Sequence, residues 1–261
     1  MKTLFALFAL CAVSASAFKL MTYQIHFGLD TNNVANLSWT AAVINEQQAT
    51  MCAIQAVDVR TTKQAESSHN YLAEHTNLKY NAFHTTVPKQ GGKYGIGMLS
   101  ALTPNATLEF PYHAPDGNPG TCITEDAYCR GATATRVELE AGKFIWFVST
   151  HFGLDETERM NEAHQLVTEI IPALATPYEA VFVGGNFNVQ PSSEVYAYLT
   201  GEAGLTDMWT ICGSGDGFTY PSTGPDARID YIFQKGSAFK CTAAQVINSH
   251  ASDHMAVVYT F

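Results

Sequence analysis

Arg228-Ile229-Asp230-Tyr231-Ile232 and, further on, Ala251-Ser252-Asp253-His254 are the two stretches whose reading decides the fold. Each sets an acidic residue at the end of an apolar run, and the second follows it at once with a histidine. A strand that delivers Asp and His side by side places a metal or proton acceptor next to a proton donor. The same layout recurs upstream at His151, Asn186 and Asn188, each closing an apolar segment. Polar groups gathered at several strand ends describe the rim of an active site. Two positions where such a rim wants a carboxylate hold Ala56 and Asn186 instead.

Working outward, short apolar runs recur with turns between them. Lys19–His26, Met51–Val57, Gly95–Leu102, Ala132–Leu139, Phe144–His151, Ala180–Phe187, Arg228–Phe233 and Met255–Phe261 read as strands. Several are apolar on both faces, as strands buried between two layers are. Ala35–Gln48 and Glu156–Ala175 carry apolar residues at helical spacing, with Pro172 expected to kink or end the second. Ser192–Thr200 reads as a short helix capped by Ser192 or Ser193. Pro104 to Cys129, rich in Pro, Gly, Asn and Asp, reads as a long loop over the site. The pattern predicts one α/β domain with two packed sheets and helices outside.

Composition sets the bounds. With 46% hydrophobic and 15% charged residues, the 261-residue chain has the material for one domain with a substantial core. Lys2, the apolar run Leu4–Val13 and Ala15-Ser16-Ala17 read as a secretory signal over residues 1–17, leaving a domain over 18–261. The run is too short to span a membrane. Loss of Lys2 with the signal leaves 13 Lys+Arg against 24 Asp+Glu. Without a basic cluster, tight binding to a nucleic-acid backbone is disfavoured, while a small phosphorylated substrate or ligand is not. Secretion predicts disulfides, with Cys122–Cys129 and Cys212–Cys241 the expected pairs and Cys52 buried and unpaired. Asn36-Leu37-Ser38 and Asn105-Ala106-Thr107 are N-glycosylation sequons.

Seven segments in order carry a resemblance: Thr22–Asp30, Ala53–Asp58, Tyr94–Ser100, Ser149–His151, Gly184–Asn188, Arg228–Ile232 and Ser252–His254. Together, from about residue 19 to the end, the chain resembles the endonuclease/exonuclease/phosphatase superfamily of DNase I-like nucleases, inositol polyphosphate phosphatases and sphingomyelinases. The resemblance implies a four-layered α/β sandwich, with two mixed β-sheets flanked by helices. It also implies a phosphodiesterase or phosphatase site using Mg²⁺ or Mn²⁺. By this likeness Asn188 would touch the phosphate, His151 and His254 would stabilise or protonate the transferring phosphoryl group, and Asp230 would orient a histidine. Asp253 would hold metal or pair with His254, and Arg130 would meet a substrate phosphate. Of the remaining histidines, His26 is the best candidate for a place near the site.

Three positions depart from the family pattern. Gln24 stands where the family usually has Asn, Ala56 where it has a metal-binding Glu, and Asn186 where an Asp orients the attacking water. Mg²⁺ takes oxygen ligands, usually with one or two carboxylates, and Ala56 offers none. An amide takes no proton from water, and loss of a positioned general base costs about 10²–10⁴-fold. The resemblance therefore predicts a hydrolase scaffold that is crippled. The alternatives are an active phosphodiesterase or phosphatase with an altered metal site, or a non-catalytic binder of a phosphorylated ligand or protein partner.

Overall fold

The computed structural model describes residues 17–114, 129–174, 179–236 and 239–261. The described residues form twelve strands in two six-stranded mixed sheets. The first sheet holds β1 (Lys19–Gln24), β2 (Met51–Val59), β3 (Tyr80–Lys89), β4 (Gly92–Ser100), β11 (Ala243–Ile247) and β12 (Ala256–Thr260), in the order β11-β12-β1-β2-β4-β3. The second holds β5 (Ala106–Pro111), β6 (Gly131–Glu140), β7 (Lys143–His151), β8 (Ala180–Asn186), β9 (Leu205–Asp207) and β10 (Asp230–Lys235), in the order β5-β6-β7-β8-β10-β9.

Period-two patterning splits each central strand between two cores. Leu20, Met51 and Ala53 face Phe147, Phe182 and Ile232 across the gap between the sheets. Their alternates Met21, Tyr23, Cys52 and Ile54 face outward, where α1 (Leu37–Gln47) and α2 (Ser68–His75) pack. On the other flank Val148, Val181 and Val183 pack under Ala163 and Leu166, and against α5 (Glu194–Thr200) through Val195 and Leu199. The result is the expected four layers. Gly184 faces the gap between the sheets: a Cβ there would meet the Phe147 ring of its own sheet at 2.8 Å and Ala53 Cβ of the facing sheet at 3.4 Å.

Local chemistry places the helix starts. Asn36 caps α1 by accepting the Trp39 N–H, Asp155 caps α3 (Glu156–Gln165), and Ser193 caps α5. Around Pro172 the second helical segment is irregular. A π turn at Leu166–Ile170 follows α3, with Ile171 N–H bonded to Leu166 O, and α4 (Ile171–Leu174) continues through the proline. The wider turn shifts the hydrogen-bond ladder just ahead of the residue that lacks an N–H. The Pro104–Cys129 loop also needs correction. Its first part is the edge strand β5, paired with β6 from Ala106 to Pro111 and largely solvent-exposed, so it lacks the apolar alternation that would announce it. A short α6 (Met208–Cys212) completes the described elements.

Cys212 and Cys241 form a disulfide, and Cys52 is buried and free. Cys129 is disulfide-bonded as well, whereas Cys122 lies outside the described residues. Residues 1–16 of the signal segment read over 1–17 lie outside them too. Among the described residues no helix is long and apolar enough to cross a membrane.

Candidate functional site

Strand register gathers the site. His151 pairs with Asn186 across β7 and β8, and Asn186 pairs with Asp230 across β8 and β10. All three share the parity of Phe147, Phe182 and Ile232, so their side chains extend the inter-sheet layer past its apolar filling. In the facing sheet Gln24 ends β1 and pairs with Gln55 of β2. Gln55 itself bridges the sheets, donating to Ser149 Oγ at 3.1 Å and accepting from Thr22 Oγ1 at 3.3 Å.

A continuous hydrogen-bonded chain runs along this rim. The Asn188 backbone N–H donates to Asn186 Oδ1 at 2.8 Å. Asn186 Nδ2 donates to Gln24 Oε1 at 2.9 Å, and Gln24 Nε2 lies 2.8 Å from His254 Nε2. His254 Nδ1 lies 2.8 Å from Asp230 Oδ2, which also accepts from Thr219 Oγ1 at 2.6 Å. A backbone N–H is a donor in every state, so the first bond orients the Asn186 amide. That orientation in turn sets Gln24 and makes His254 Nε2 the acceptor. Two influences then meet on the His254 ring. Burial disfavours the imidazolium, but the Asp230 carboxylate outweighs it and raises the pKa above the usual histidine value, with Asp253 adding to the effect. The Gln24 N–H works the other way, because it takes the lone pair that a second proton would need.

His151 sits in a different environment. Arg130 Nη1 donates to its Nδ1 at 3.1 Å, and Tyr94 Oη is 3.3 Å from the same atom. Burial first, then the charges of Arg130 and His254, push its pKa well below the ordinary value. His151 is therefore neutral, with the proton on Nε2. Asn188, at φ 52°, spends its side-chain N–H₂ on Phe152 O at 2.7 Å. That bond holds the loop after His151 and leaves the phosphate contact implied by the resemblance to a rearranged side chain.

Position 56 is where the two sequences of requirements part. Ala56 has φ 53° and is the extra residue of a β-bulge, where the β2–β4 register shifts between Ile54 and Val57. Its methyl packs with Val87, Tyr94 and Phe27. The Phe27 ring is delivered by a turn whose His26 and Phe27 lie at φ 46° and 62°. The Lys63 ammonium stands 3.9 Å from the centre of that ring, and Lys89 Nζ lies 5.0 Å from it. His26 Nε2 is 3.9 Å from Asp253 Oδ2.

A hard divalent cation does not fit this donor set. Gln24 Oε1 is taken by Asn186, and Ala56 offers a methyl among aromatic rings with two ammonium groups beside them. Among the described residues no three His, Cys, Asp or Glu side chains are grouped to hold a metal. Of the three positions where the resemblance puts ligands, only Asp253 retains a carboxylate. It neighbours His26, and Asp230 is the partner of His254.

The structure thus brings together Gln24, Ala56, His151, Asn186, Asn188, Asp230, Asp253 and His254, with Arg130 and His26 alongside. Phe27, Lys63 and Lys89 escape sequence reading. Lys63 is an isolated charge in a loop and Lys89 an isolated charge in a strand, and only the fold sets both beside position 56. His69, His75, His84 and His164 pack or pair elsewhere, against Phe83, Tyr71, Glu109 and Tyr198.

Comparison with known proteins follows from this geometry. The sequence model of the Endonuclease/Exonuclease/phosphatase family matches residues 33–254. A family protein from Bacteroides thetaiotaomicron superposes with a TM-score of 0.76 at 13% identity, covering 94% of this chain and 97% of its own. A mannosyl-6-phosphatase from the same organism gives 0.75 at 12% identity, over 93% and 98%. The human nocturnin catalytic domain, with a bound sulfate anion, gives 0.71 at 16% identity, over 94% and 92%. No curated protein sequence matches the chain.

Proposed function

Because the chain belongs to the endonuclease/exonuclease/phosphatase family, we propose that it is a secreted hydrolase scaffold whose metal-dependent cleavage of phosphate esters is crippled or lost. One observation carries the reading. Both polar atoms of the Asn186 amide are committed, Oδ1 to the Asn188 N–H and Nδ2 to Gln24 Oε1. Nothing at that position accepts a proton from an attacking water. The family is in general dependent on divalent metals, and here the position of one ligand is a methyl group packed on Phe27. Secretion is read from Lys2, the run Leu4–Val13 and Ala15-Ser16-Ala17, and the glycosylation of Asn36 and Asn105 from their sequons.

The ligand class is a small phosphorylated molecule. Among proteins of the same fold, one is a mannosyl-6-phosphatase and another holds a sulfate anion, which supports a site for a tetrahedral anion. Hydrolysis of a panel of phosphomonoesters and phosphodiesters, with Mg²⁺, with Mn²⁺ and in chelator, tests the reading. Turnover at or near background under all three conditions is the expected result. Robust metal-dependent turnover would establish the second reading, an active enzyme with an altered metal site. The intact Asp230–His254 and Arg130–His151 pairs favour that one.

A further inference from the structure

We propose that this pocket takes the phosphoryl group of a phosphate ester directly on fixed side-chain cations, with Lys63 as the leading contact and no divalent cation. The inference rests on the reading that the family's pocket is retained, and names what replaces the metal in it.

Position 56 supplies the starting point. A carboxylate there needs a cation between it and an anionic ligand, because two like charges repel at close range. The methyl of Ala56 removes that need. The space beside it holds the Phe27 ring, brought in by two consecutive non-glycine residues in the left-handed region. Such conformations are costly for side chains of this size and persist only where the surroundings enforce them. The ring is a platform for charge: Lys63 Nζ lies 3.9 Å and Lys89 Nζ 5.0 Å from its centre, and Lys89 Nζ lies 5.2 Å from the centre of Tyr94. The ring face attracts a cation without supplying a neutralising charge, which leaves the exposed Lys63 ammonium positive. Lys63 is exposed, where a ligand can meet it, while Lys89 is buried and adds its charge to the local field.

Tyr94 links this cluster to the opposite wall, since its hydroxyl lies 3.3 Å from His151 Nδ1 and accepts from Arg130 Nη1 at 3.4 Å. A ligand phosphoryl between Lys63 and His151 therefore faces two lysines, a guanidinium and the Nε2–H of a neutral imidazole. Among the described residues the carboxylates nearby are Asp58, whose pKa burial raises against the Thr61 hydrogen bond and the charges of Lys89 and Lys63, and Asp253, which faces His26. Lysine serves phosphate as a point charge and needs no bidentate geometry. The cation that other family members borrow from solution is here covalently part of the chain.

Phenyl phosphate titrated calorimetrically into the full protein in the presence of chelator tests this. Saturable binding is expected, unchanged by added Mg²⁺. Lys63→Gln should weaken it by about tenfold, the value of one charge-assisted hydrogen bond, and Lys63→Arg should largely keep it. Lys63 is exposed, so neither change threatens the fold. Affinity that appears only with Mg²⁺, or a Lys63→Gln protein that binds as well as its parent, overturns the inference. Hydrolysis of bis(4-nitrophenyl) phosphate by the same samples separates the two readings. Metal-dependent turnover by the parent defeats the crippled-hydrolase reading, whereas an inert protein that binds no phenyl phosphate in chelator defeats only the lysine site.

Discussion

Asn188 donates its backbone N–H to Asn186 Oδ1 at 2.8 Å, and that bond fixes the polarity of the hydrogen bonds that follow, through Gln24 and His254 to Asp230. The expected state of His254 is the tautomer with its proton on Nδ1, shared with Asp230, and a bare Nε2 held by Gln24. Asn186→Asp should reverse the relay. A carboxylate at 186 only accepts, so Gln24 turns its amide over, and its Oε1 then welcomes a proton on His254 Nε2. Long-range ¹H–¹⁵N correlation of the imidazole at neutral pH reads both states. A protonated Nε2 in the parent protein would contradict the assignment.

Restoring the chemistry needs more than that one carboxylate. Ala56→Glu with Asn186→Asp returns two negative charges to the rim, and Gln24→Asn returns the amide to the family's distance. The triple variant should raise Mg²⁺-dependent hydrolysis of a simple phosphodiester by at least about 10²-fold, the low end for a recovered general base. Asn186→Asp alone should recover less, because position 56 still presents a methyl packed with Phe27 and Tyr94. A triple variant that folds, binds Mg²⁺ and stays as inert as its parent would show decay beyond these three residues.

The loop behind His151 carries a buried acid with a measurable signature. Glu162 is 2% exposed, accepts the Gly153 N–H at 2.8 Å, and has its pKa pushed by burial up to about 8. The folded protein therefore keeps a proton that the unfolded chain releases near the ordinary value of 4.5. Stability contributed by this group is fully present below that value. It declines as pH climbs toward about 8 and is flat above, with a slope of at most about 1.4 kcal/mol per pH unit. Glu162→Gln keeps an oxygen for Gly153 and removes the proton. Urea unfolding from mildly acidic to mildly basic pH should show the decline in the parent and lose this component of it in the variant. An unchanged slope would place the pH dependence elsewhere.

Much of this was legible before the fold was in hand, and the reasons are physical. Strands buried on both faces announce themselves as continuous apolar runs, so β7, β8 and β12 read clearly. The site residues terminate those runs and share their parity, so His151, Asn186 and Asp230 read with them. β3 and β5 did not, because both are edge strands without a clean apolar alternation, β3 mostly half-buried and β5 mostly exposed, each held by backbone pairing with β4 or β6. Lys63 and Lys89 were invisible for another reason. Their meaning lies in a bulge at Ala56 and a left-handed turn at Phe27, which are tertiary features that no local spacing encodes. Pro172 reads as a place of irregularity, and the form it takes, a π turn just ahead of the missing N–H, is not encoded in local spacing.

The cysteines allow a covalent test of how the site's far wall is anchored. Cys212–Cys241 joins α6 to the start of β11 across 29 residues of sequence, a closure that contributes about 3–4 kcal/mol in the chain-entropy account. Cys129 is also disulfide-bonded, next to the Arg130 that holds His151. With Cys52 free and Cys212 and Cys241 paired, the reading of residues 1–17 as a signal that takes Cys11 with it makes Cys122 the expected partner of Cys129. Peptide mapping of the mature protein without reductant should therefore recover Cys122–Cys129 and Cys212–Cys241. Replacing both Cys212 and Cys241 by Ser should lower stability by about 3 kcal/mol and leave the His151 environment alone. Cys122→Ser should act the other way, costing less stability but loosening Arg130 and changing the His151 imidazole resonances. Finding Cys122 and Cys129 as free thiols, or a Cys122→Ser protein whose His151 signals match the parent, would remove the disulfide from any account of the site.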